Sequence, residues 1–228
     1  MPKRHSALPA VWRPASAGSP VPGVRMSRTP SNGVVLPTQK TSLFDGRQKR
    51  MLHFAPERQI MRRLAAFRYI EYCSADLRSP IARHHMDITE LAFPSRYFDA
   101  IYCSHVLEHV PNDRKAMAEL YRVLKPGGWA ILQVPIQGET TLEDPNVTTP
   151  EERTRLYGQE DHVRQYGRDY RNRLDAAGFA VTVDDFVGEL GERTRTKLGL
   201  VMGDDVYFCQ RTDASPQGRA SAAPSRCT

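Results

Sequence analysis

Short apolar runs alternate with amphipathic stretches from residue 51 to residue 210. The apolar runs are three to eight residues long, as in buried β-strands. Several of the stretches between them repeat their apolar residues at helical spacing. The predicted strands are 51–54, 69–73, 84–86, 97–103, 129–135, 179–186 and 205–210. Helices are predicted at 58–67, 113–124 and 168–177. This alternation predicts a parallel sheet with helices on both faces.

Turn and capping residues lie between these elements. Pro56 and Glu57 suit the start of the first helix, and Asn112 suits the cap of the second. The sequence Lys-Pro-Gly-Gly at 125–128 predicts the end of the second helix, and Gly178 the end of the third. The boundaries of the predicted elements are therefore marked by local chemistry as well as by periodicity.

The two ends of the chain differ from its middle in composition. Residues 1–46 are rich in Pro, Ser, Gly and Arg and lack a sustained period, which predicts a disordered basic tail. One folded domain is expected at 47–212, and residues 213–228 are predicted to form a second disordered tail. Residues 1–50 carry nine Lys and Arg and one acid, whereas the remainder carries 23 basic and 25 acidic residues. The excess of positive charge lies in the tail, so nucleic acid is disfavoured as the partner of the domain.

Membrane insertion and cysteine-based sites are both disfavoured. No run approaches the roughly 18 apolar residues that a membrane span requires. The four cysteines form no C-x-x-C pair, which argues against a zinc ribbon or a disulfide framework and fits a reducing cytosol. We therefore predict a cytoplasmic protein and no metal site.

Acidic residues follow successive predicted strands. In a parallel sheet, ligands bind at the carboxyl ends of the strands, where Asp76 and Asp87 are expected to lie. These carboxylates would repel a dinucleotide pyrophosphate, but they suit the positively charged S-adenosyl-L-methionine. Asp76 could accept the ribose hydroxyls, and Asp87 the adenine amino group beside the apolar Ile88. The start of the helix at 56–58 could bind the methionine carboxylate through backbone N–H groups, which Glu57 and Arg58 have and Pro56 lacks.

Residues 98–136 carry a more specific signal. A predicted strand, the HVLEHV turn at 105–110 and the LKPGG break at 124–128 follow one another in this order. In this the segment resembles class I S-adenosylmethionine-dependent methyltransferases of the type 11 group, and the resemblance extends over about residues 50–211. It implies a Rossmann-like, doubly wound α/β sheet of about seven strands with an antiparallel last strand. It also implies that Asp76 binds ribose and that Asp87 and Ile88 bind adenine. By the same resemblance, Ser104 and His105 line the cofactor and substrate site.

The first motif departs from this family. Its glycine-rich loop is replaced by the sequence His-Phe-Ala-Pro-Glu at 53–57. His53, Phe54, Ala55 and Glu57 are accordingly candidate cofactor contacts, with Glu57 as a partner for the methionine ammonium group. A side chain in place of glycine could equally block the cofactor.

Histidines supply the candidate catalytic groups. His105, Glu108 and His109 spell H-x-x-E-H, a pattern of some zinc proteases. That pattern needs one helix through both histidines, whereas here His105 follows a strand and Pro111 comes two residues after His109. His105 and His109 are instead candidates for facing the substrate, or His109 is a partly buried turn residue.

The polar segment 136–166 is expected to lie over the site. His162, Arg164 and Tyr166 are candidate substrate contacts there, and His162 could act as a base with Asp161 nearby. A structured polar loop with internal ion pairs is the alternative interpretation of the same residues.

The sequence therefore predicts an S-adenosylmethionine-dependent methyltransferase that transfers a methyl group in line to a small-molecule acceptor. Because such transfer depends mainly on alignment, a catalytic base is not required. One alternative is a degenerate, non-catalytic protein of the same fold that binds a partner. A second is a nucleic-acid-binding protein that uses the basic tail, whose binding would collapse with added salt.

Overall fold

The computed structural model describes residues 41–185 and 205–212, together with positions 188, 192, 193 and 196. The predicted tail at 213–228 and residues 1–40 of the predicted N-terminal tail lie outside the described residues. The strands are β1 (Lys49–Phe54), β2 (Ile70–Asp76), β3 (His84–His85), β4 (Phe98–Ser104), β5 (Leu124–Gln133), β6 (Ala180–Asp184) and β7 (Val206–Gln210). The helices between them are α1 (Arg58–Leu64), α2 (Asp113–Val123), α3 (Pro150–Tyr157) and α4 (Tyr170–Ala176).

The strands form one seven-stranded sheet in the order β3-β2-β1-β4-β5-β7-β6. The first five strands in this order are parallel, and β7 runs antiparallel to both β5 and β6. The predicted doubly wound α/β sheet with an antiparallel last strand is confirmed. The order reverses between β1 and β4, and in such sheets the carboxyl ends at this point form a crevice that binds ligands.

Both faces of the sheet are buried, as in parallel sheets covered by helices. In β1, Leu52 and Phe54 pack into a core on one face, whereas Met51 packs into a second core on the other. Because side chains alternate along a strand, β1 needs apolar residues at consecutive positions. This is why its sequence forms a continuous apolar run instead of an alternating pattern.

Helix α2 begins and is buried as predicted. The side chain of Asn112 accepts a hydrogen bond of 3.0 Å from the backbone N–H of Lys115 and so caps the helix. Met117 and Leu120 on its inner face are fully buried. The helix therefore lies on the sheet by one apolar stripe.

The transition from α2 to β5 differs from the prediction. Strand β5 begins at Leu124, so that the sequence Lys-Pro-Gly-Gly lies inside the strand and not in a loop before residue 129. Pairing with β4 shifts register between Phe98 and Ala100. A Cβ at Gly128 would lie only 2.8 Å from the Lys125 carbonyl oxygen, so glycine is required for this irregular strand.

The segment after β5 folds into ordered structure that includes a helix the sequence did not predict. The side chain of Thr149 accepts a hydrogen bond from the backbone of Glu152 at the start of α3. The helix ends at Gly158, which has a φ of 86°. We call residues 134–169 the insertion. It contacts the turn after β4 through the Val163 N–H, which donates to the Glu108 carbonyl oxygen at 2.9 Å.

The described chain also includes a turn before β1. Ser42–Phe44 form a 3₁₀ turn, and Leu43 is buried in the second core. Packed structure thus begins a few residues before the predicted domain boundary at residue 47. No helix in the described part of the chain is long and apolar enough to cross a bilayer.

Candidate functional site

A cavity lies at the carboxyl ends of the strands around the point where the strand order reverses. It contains about 630 Å³ of space between the atoms, a volume that includes the solvent at its open mouth. Its walls are formed by Phe54, Ala55, Asp76, Leu77, Asp87, Ile88, Thr89, His105, Val106, His109, Val110 and Pro111. Seven predicted site residues are in this set, and His53, Glu57, Ser104 and His162 lie outside it.

Two carboxylates stand on one side of the cavity, and each is oriented by its own turn. Oδ1 of Asp76 accepts hydrogen bonds from the N–H groups of Arg78 at 2.7 Å and Ser79 at 2.6 Å, and the residue is 4% exposed. Oδ1 of the exposed Asp87 accepts from the Thr89 N–H at 2.7 Å. Such local bonds fix the direction of a carboxylate without help from distant residues. We call the turns 76–79 and 87–89 the acidic rim.

Two residues that line the cavity have a left-handed backbone. Ala55 follows β1 with a φ of 53°, and His105 follows β4 with a φ of 55°. Each donates its N–H to the neighbouring strand: Ala55 to Ala75 O and His105 to Gln133 O, both at 2.9 Å. Side chains make this conformation costly, so both strand ends are strained. Ala55 stands in the segment where the related family has glycines.

His53 is placed on the opposite face of β1 from Leu52 and Phe54. Its ring is fully buried against Tyr72 and Tyr102, and Nδ1 lies 2.9 Å from the Tyr72 hydroxyl. Burial lowers the pKa of His53 to about 3, so the imidazole is neutral at ordinary pH. Its side chain belongs to the core, and the prediction of a cofactor contact can apply only to its backbone.

Glu57 and Ser104 lie next to residues of the cavity without lining it. Glu57 is the residue directly before α1, and its side chain makes no capping hydrogen bond. Burial raises the pKa of Glu57, and the nearby His105 acts in the opposite direction. Ser104 is the last residue of β4 and is half-buried.

The H-x-x-E-H motif forms the opposite wall of the cavity. Leu107–His109 make a 3₁₀ turn, so the two histidines do not share a helix. Nδ1 of His105 lies 3.3 Å from Oε1 of Glu108, whose side chain is only 2% exposed. Burial acts to raise the pKa of Glu108, but the hydrogen bond and charge of His105 and the charge of His109 outweigh it and lower that pKa. We call residues 105–111 the histidine wall.

His162 reaches this wall from the insertion. Its ring packs edge-on against His109 with a centroid distance of 4.7 Å. Nδ1 of His162 lies 3.0 Å from the Tyr157 carbonyl oxygen, and burial lowers the pKa of the imidazole. Asp161 contacts His109, with 3.4 Å between its Oδ2 and Nδ1. His162 thus lies behind His109, away from the cavity lining.

Arg164 holds the histidine wall from behind. It is 4% exposed and donates hydrogen bonds to the carbonyl oxygens of Leu107 at 2.8 Å, Val110 at 2.6 Å and Pro111 at 2.9 Å. The fully buried Tyr166 donates to Oδ2 of Asp113 at 2.7 Å. The predicted substrate contacts of Arg164 and Tyr166 are wrong, because both side chains bond within the fold. No local pattern in the sequence indicates this role, since the partners lie more than fifty residues away.

Comparison with known proteins agrees with this architecture. The profile of a methyltransferase domain family matches residues 50–132, which extend from β1 into β5. The ubiquinone/menaquinone biosynthesis C-methyltransferase UbiE of Vibrio cholerae is 51% identical over 39 residues, or 17% of this chain. The chain matches only 15% of the length of that relative.

Two solved structures share the fold at low identity. A structure described as a possible methyltransferase of Bacillus halodurans is 17% identical, with a TM-score of 0.50 over 72% of this chain and 93% of the other. Phosphoethanolamine N-methyltransferase 2 of Haemonchus contortus, in complex with S-adenosyl-L-methionine, is 16% identical, with a TM-score of 0.51 over 73% of this chain and 49% of the other. The chain has the class I S-adenosylmethionine-dependent methyltransferase fold.

Proposed function

We propose that this protein is an S-adenosylmethionine-dependent methyltransferase that acts on a small-molecule acceptor. The observation that carries the proposal is the acidic rim, which places Asp76 and Asp87 on one side of a cavity at the reversal of the strand order. The histidine wall stands on the other side. A cofactor side and an acceptor side therefore face each other across one space.

The residues of the cavity fit the charge and shape of S-adenosylmethionine. Carboxylates stabilise a ligand that carries a sulfonium and an ammonium group, because opposite charges attract strongly in a partly buried site. Ile88 and Leu77 beside the two acids supply apolar surface for a purine ring. Asp76 is the candidate partner of the ribose hydroxyls and Asp87 that of the adenine amino group. Phe54 and Ala55 form the floor between the two sides.

When bound, S-adenosylmethionine supplies an electrophilic methyl group on a sulfonium that leaves with the bonding electron pair. The residues of the chain orient the two reactants, which is the main requirement of an in-line transfer. His105 lies at the cavity surface and is exposed, so it can accept a proton from an acceptor that must lose one. His109 is the second candidate on the acceptor side. His162 contacts His109 and acts as its positioning residue.

The acceptor is proposed to be a small molecule because the cavity lies between short turns at one edge of the sheet. The name of UbiE concerns quinone biosynthesis in that relative. For this chain we propose only the class of acceptor, a nucleophilic carbon, nitrogen or oxygen. A reducing, cytoplasmic location agrees with the free cysteines Cys73, Cys103 and Cys209 among the described residues.

The test measures binding and product together. Titration calorimetry with S-adenosylmethionine should give saturable binding to the wild type. Asp76→Asn and Asp87→Asn should each weaken it by about tenfold to a hundredfold, as expected for a lost hydrogen bond to a charged group. Asp175→Asn is the matched control, because Asp175 pairs with Arg171 at the surface of α4. Incubation with small-molecule extracts and methyl-labelled cofactor should yield S-adenosylhomocysteine and a labelled product.

A non-catalytic protein of the same fold is the second candidate, and Ala55 is the observation that favours it. A left-handed alanine at the cavity floor holds a Cβ where glycine would let a ligand approach the backbone. This candidate predicts cofactor binding weaker than about millimolar, which is the weak end of specific affinities. It also predicts no labelled product with any extract. Either result with folded protein would contradict the enzymatic proposal.

A further inference from the structure

Three potential metal ligands meet behind the histidine wall. One oxygen of Glu108, one nitrogen of His109 and one nitrogen of His162 all lie within 4.8 Å of one another. Glu108 and His162 are 2% and 5% exposed. Oε2 of Glu108 and Nε2 of His162 are buried and have no hydrogen-bond partner among the residues that the structure describes. Two polar atoms are thus aimed into one enclosed space without a partner there.

The hydrogen bonds around the cluster prepare the imidazoles for a cation. Nδ1 of His162 is 3.0 Å from the Tyr157 carbonyl oxygen and must donate to it, which places the lone pair on Nε2. Nδ1 of His109 is 3.3 Å from the Asp161 carbonyl oxygen, so the same tautomer applies there. Metal-binding histidines are commonly oriented in this way by a carbonyl or carboxylate behind the ring.

The two unpartnered atoms also favour an ion. A buried carboxylate oxygen and an unbonded imidazole nitrogen are both costly to leave without partners. A divalent cation between them satisfies both at once.

We propose that Glu108, His109 and His162 bind a divalent transition-metal ion of the Zn²⁺ type. Two imidazole nitrogens and one carboxylate oxygen are a common protein ligand set for such ions and leave a further coordination position. Since His109 also lines the cavity, the ion would lie beside the acceptor side of that cavity. The site joins the histidine wall to the insertion and does not depend on methyl transfer.

The sequence alone predicted no metal site, because the cysteines form no C-x-x-C pair and the H-x-x-E-H pattern lacks one helix through both histidines. His105 of that motif is paired with the other carboxylate oxygen of Glu108, Oε1, at 3.3 Å. The third proposed ligand is His162, a residue of the insertion, and not His105. The protease pattern and the proposed site thus share only Glu108 and His109.

Metal binding is tested without cofactor or acceptor. Tag-free, full-length protein is stripped with a chelator, and Zn²⁺ is then titrated by calorimetry and counted by elemental mass spectrometry. We expect one ion per chain. His162→Gln and Glu108→Gln should each weaken binding by about a hundredfold or more, because removing a group that only orients a ligand already costs 10–100-fold. His85→Gln is the matched control, since His85 is an exposed histidine on β3 that should leave Zn²⁺ affinity unchanged.

A second pair of measurements keeps the test decisive if a buried variant folds poorly. His109→Gln removes the least buried of the three ligands, and Zn²⁺ should raise the thermal midpoint of the wild type but not of this variant. Cobalt substitution should give the visible absorption of a low-symmetry nitrogen and oxygen site in the wild type only. The proposal is overturned if wild type and His109→Gln bind Zn²⁺ equally, or if no ion is retained after dialysis. The first result would indicate surface binding, and the second a water molecule between the three groups.

Discussion

The acidic rim and the histidine wall face each other across the cavity, but they are held in place by different kinds of interaction. In the rim, Asp76 bonds to N–H groups two and three residues further along the chain. In the wall, three carbonyl oxygens are held by Arg164, which comes from the insertion. The rim is therefore held by local turns, whereas the wall is held by the insertion, a segment distant in the chain that packs against it. Changes behind the wall should affect the histidine wall and leave the acidic rim intact.

The largest effect should come from Arg164→Met. This variant removes the donors of three buried or partly buried carbonyl oxygens and leaves Glu143 without one of its two arginine partners. We expect the free energy of unfolding to fall by about 3 kcal/mol, the loss typical of breaking a buried charged network. Denaturant unfolding measures the loss.

Hydrogen exchange locates the effect of Arg164→Met. Amides of residues 107–110 should exchange faster, while those of 76–79 should not. Arg168→Met is the control, because Arg168 is largely exposed and its ion pairs with Glu139 and Asp205 should contribute less than about 1 kcal/mol. Equal losses in the two variants would contradict the proposed role of Arg164.

Asp76→Ala should have the next largest effect, confined to the rim. Two backbone N–H groups lose their acceptor, which should lower the free energy of unfolding by about 1–2 kcal/mol. Asp76→Asn keeps an oxygen for those groups and should lose clearly less. Chemical unfolding of both variants, with amide exchange at 78 and 79, makes the measurement. Faster exchange at residues 107–110 would show that the two sides are not independent.

Low pH should reduce the contribution of Glu143 to the stability of the histidine wall. Hydrogen bonds from Arg173 and Arg164 outweigh its partial burial and lower the pKa of Glu143 to about 2. The folded pKa lies below the unfolded one, so this stabilisation is present above about pH 4.5 and is lost as the pH falls towards 2. Because Glu143 is partly exposed, we expect only about 1 kcal/mol from it.

The matched variant for this pH dependence is Glu143→Gln. The difference in unfolding free energy between wild type and variant, measured from pH 6 to pH 2, should shrink over that window. A difference that stays constant with pH would mean that the carboxylate charge of Glu143 does not support the wall.

The smallest effect should come from Ala55→Gly at the floor of the cavity. Glycine removes the strain of a φ of 53° but adds freedom to the unfolded chain, so the net gain in stability should be below about 1 kcal/mol. Ala116→Gly, within α2, should instead lose about 1 kcal/mol or more. Thermal unfolding compares the two. A loss of stability in Ala55→Gly would show that the left-handed backbone is not strained.

Much of the fold could be predicted because its signals are local. Continuous apolar runs mark the buried strands, and Asn112 marks the start of α2 by a bond within one turn. The start of β5 was predicted too late, because Gly127 and Gly128 also suit an irregular strand that bends around Asp99. Helix α3 was missed because its exposed residues carry little apolar periodicity, although Thr149 and Gly158 mark its two ends.

The strands, their class of sheet and the acidic residues at or just after the ends of β2 and β3 could be predicted from the order of the amino acids. These features depend on apolar burial and on turns that close within a few residues. That the polar residues of the insertion lie behind the histidine wall, and do not line the cavity, is evident only once the chain is folded. Arg164, Tyr166 and His162 acquire their partners through packing against residues far away in the chain, and the same side chains would suit a substrate equally well. Their roles follow from burial, which a pattern of polar residues does not encode.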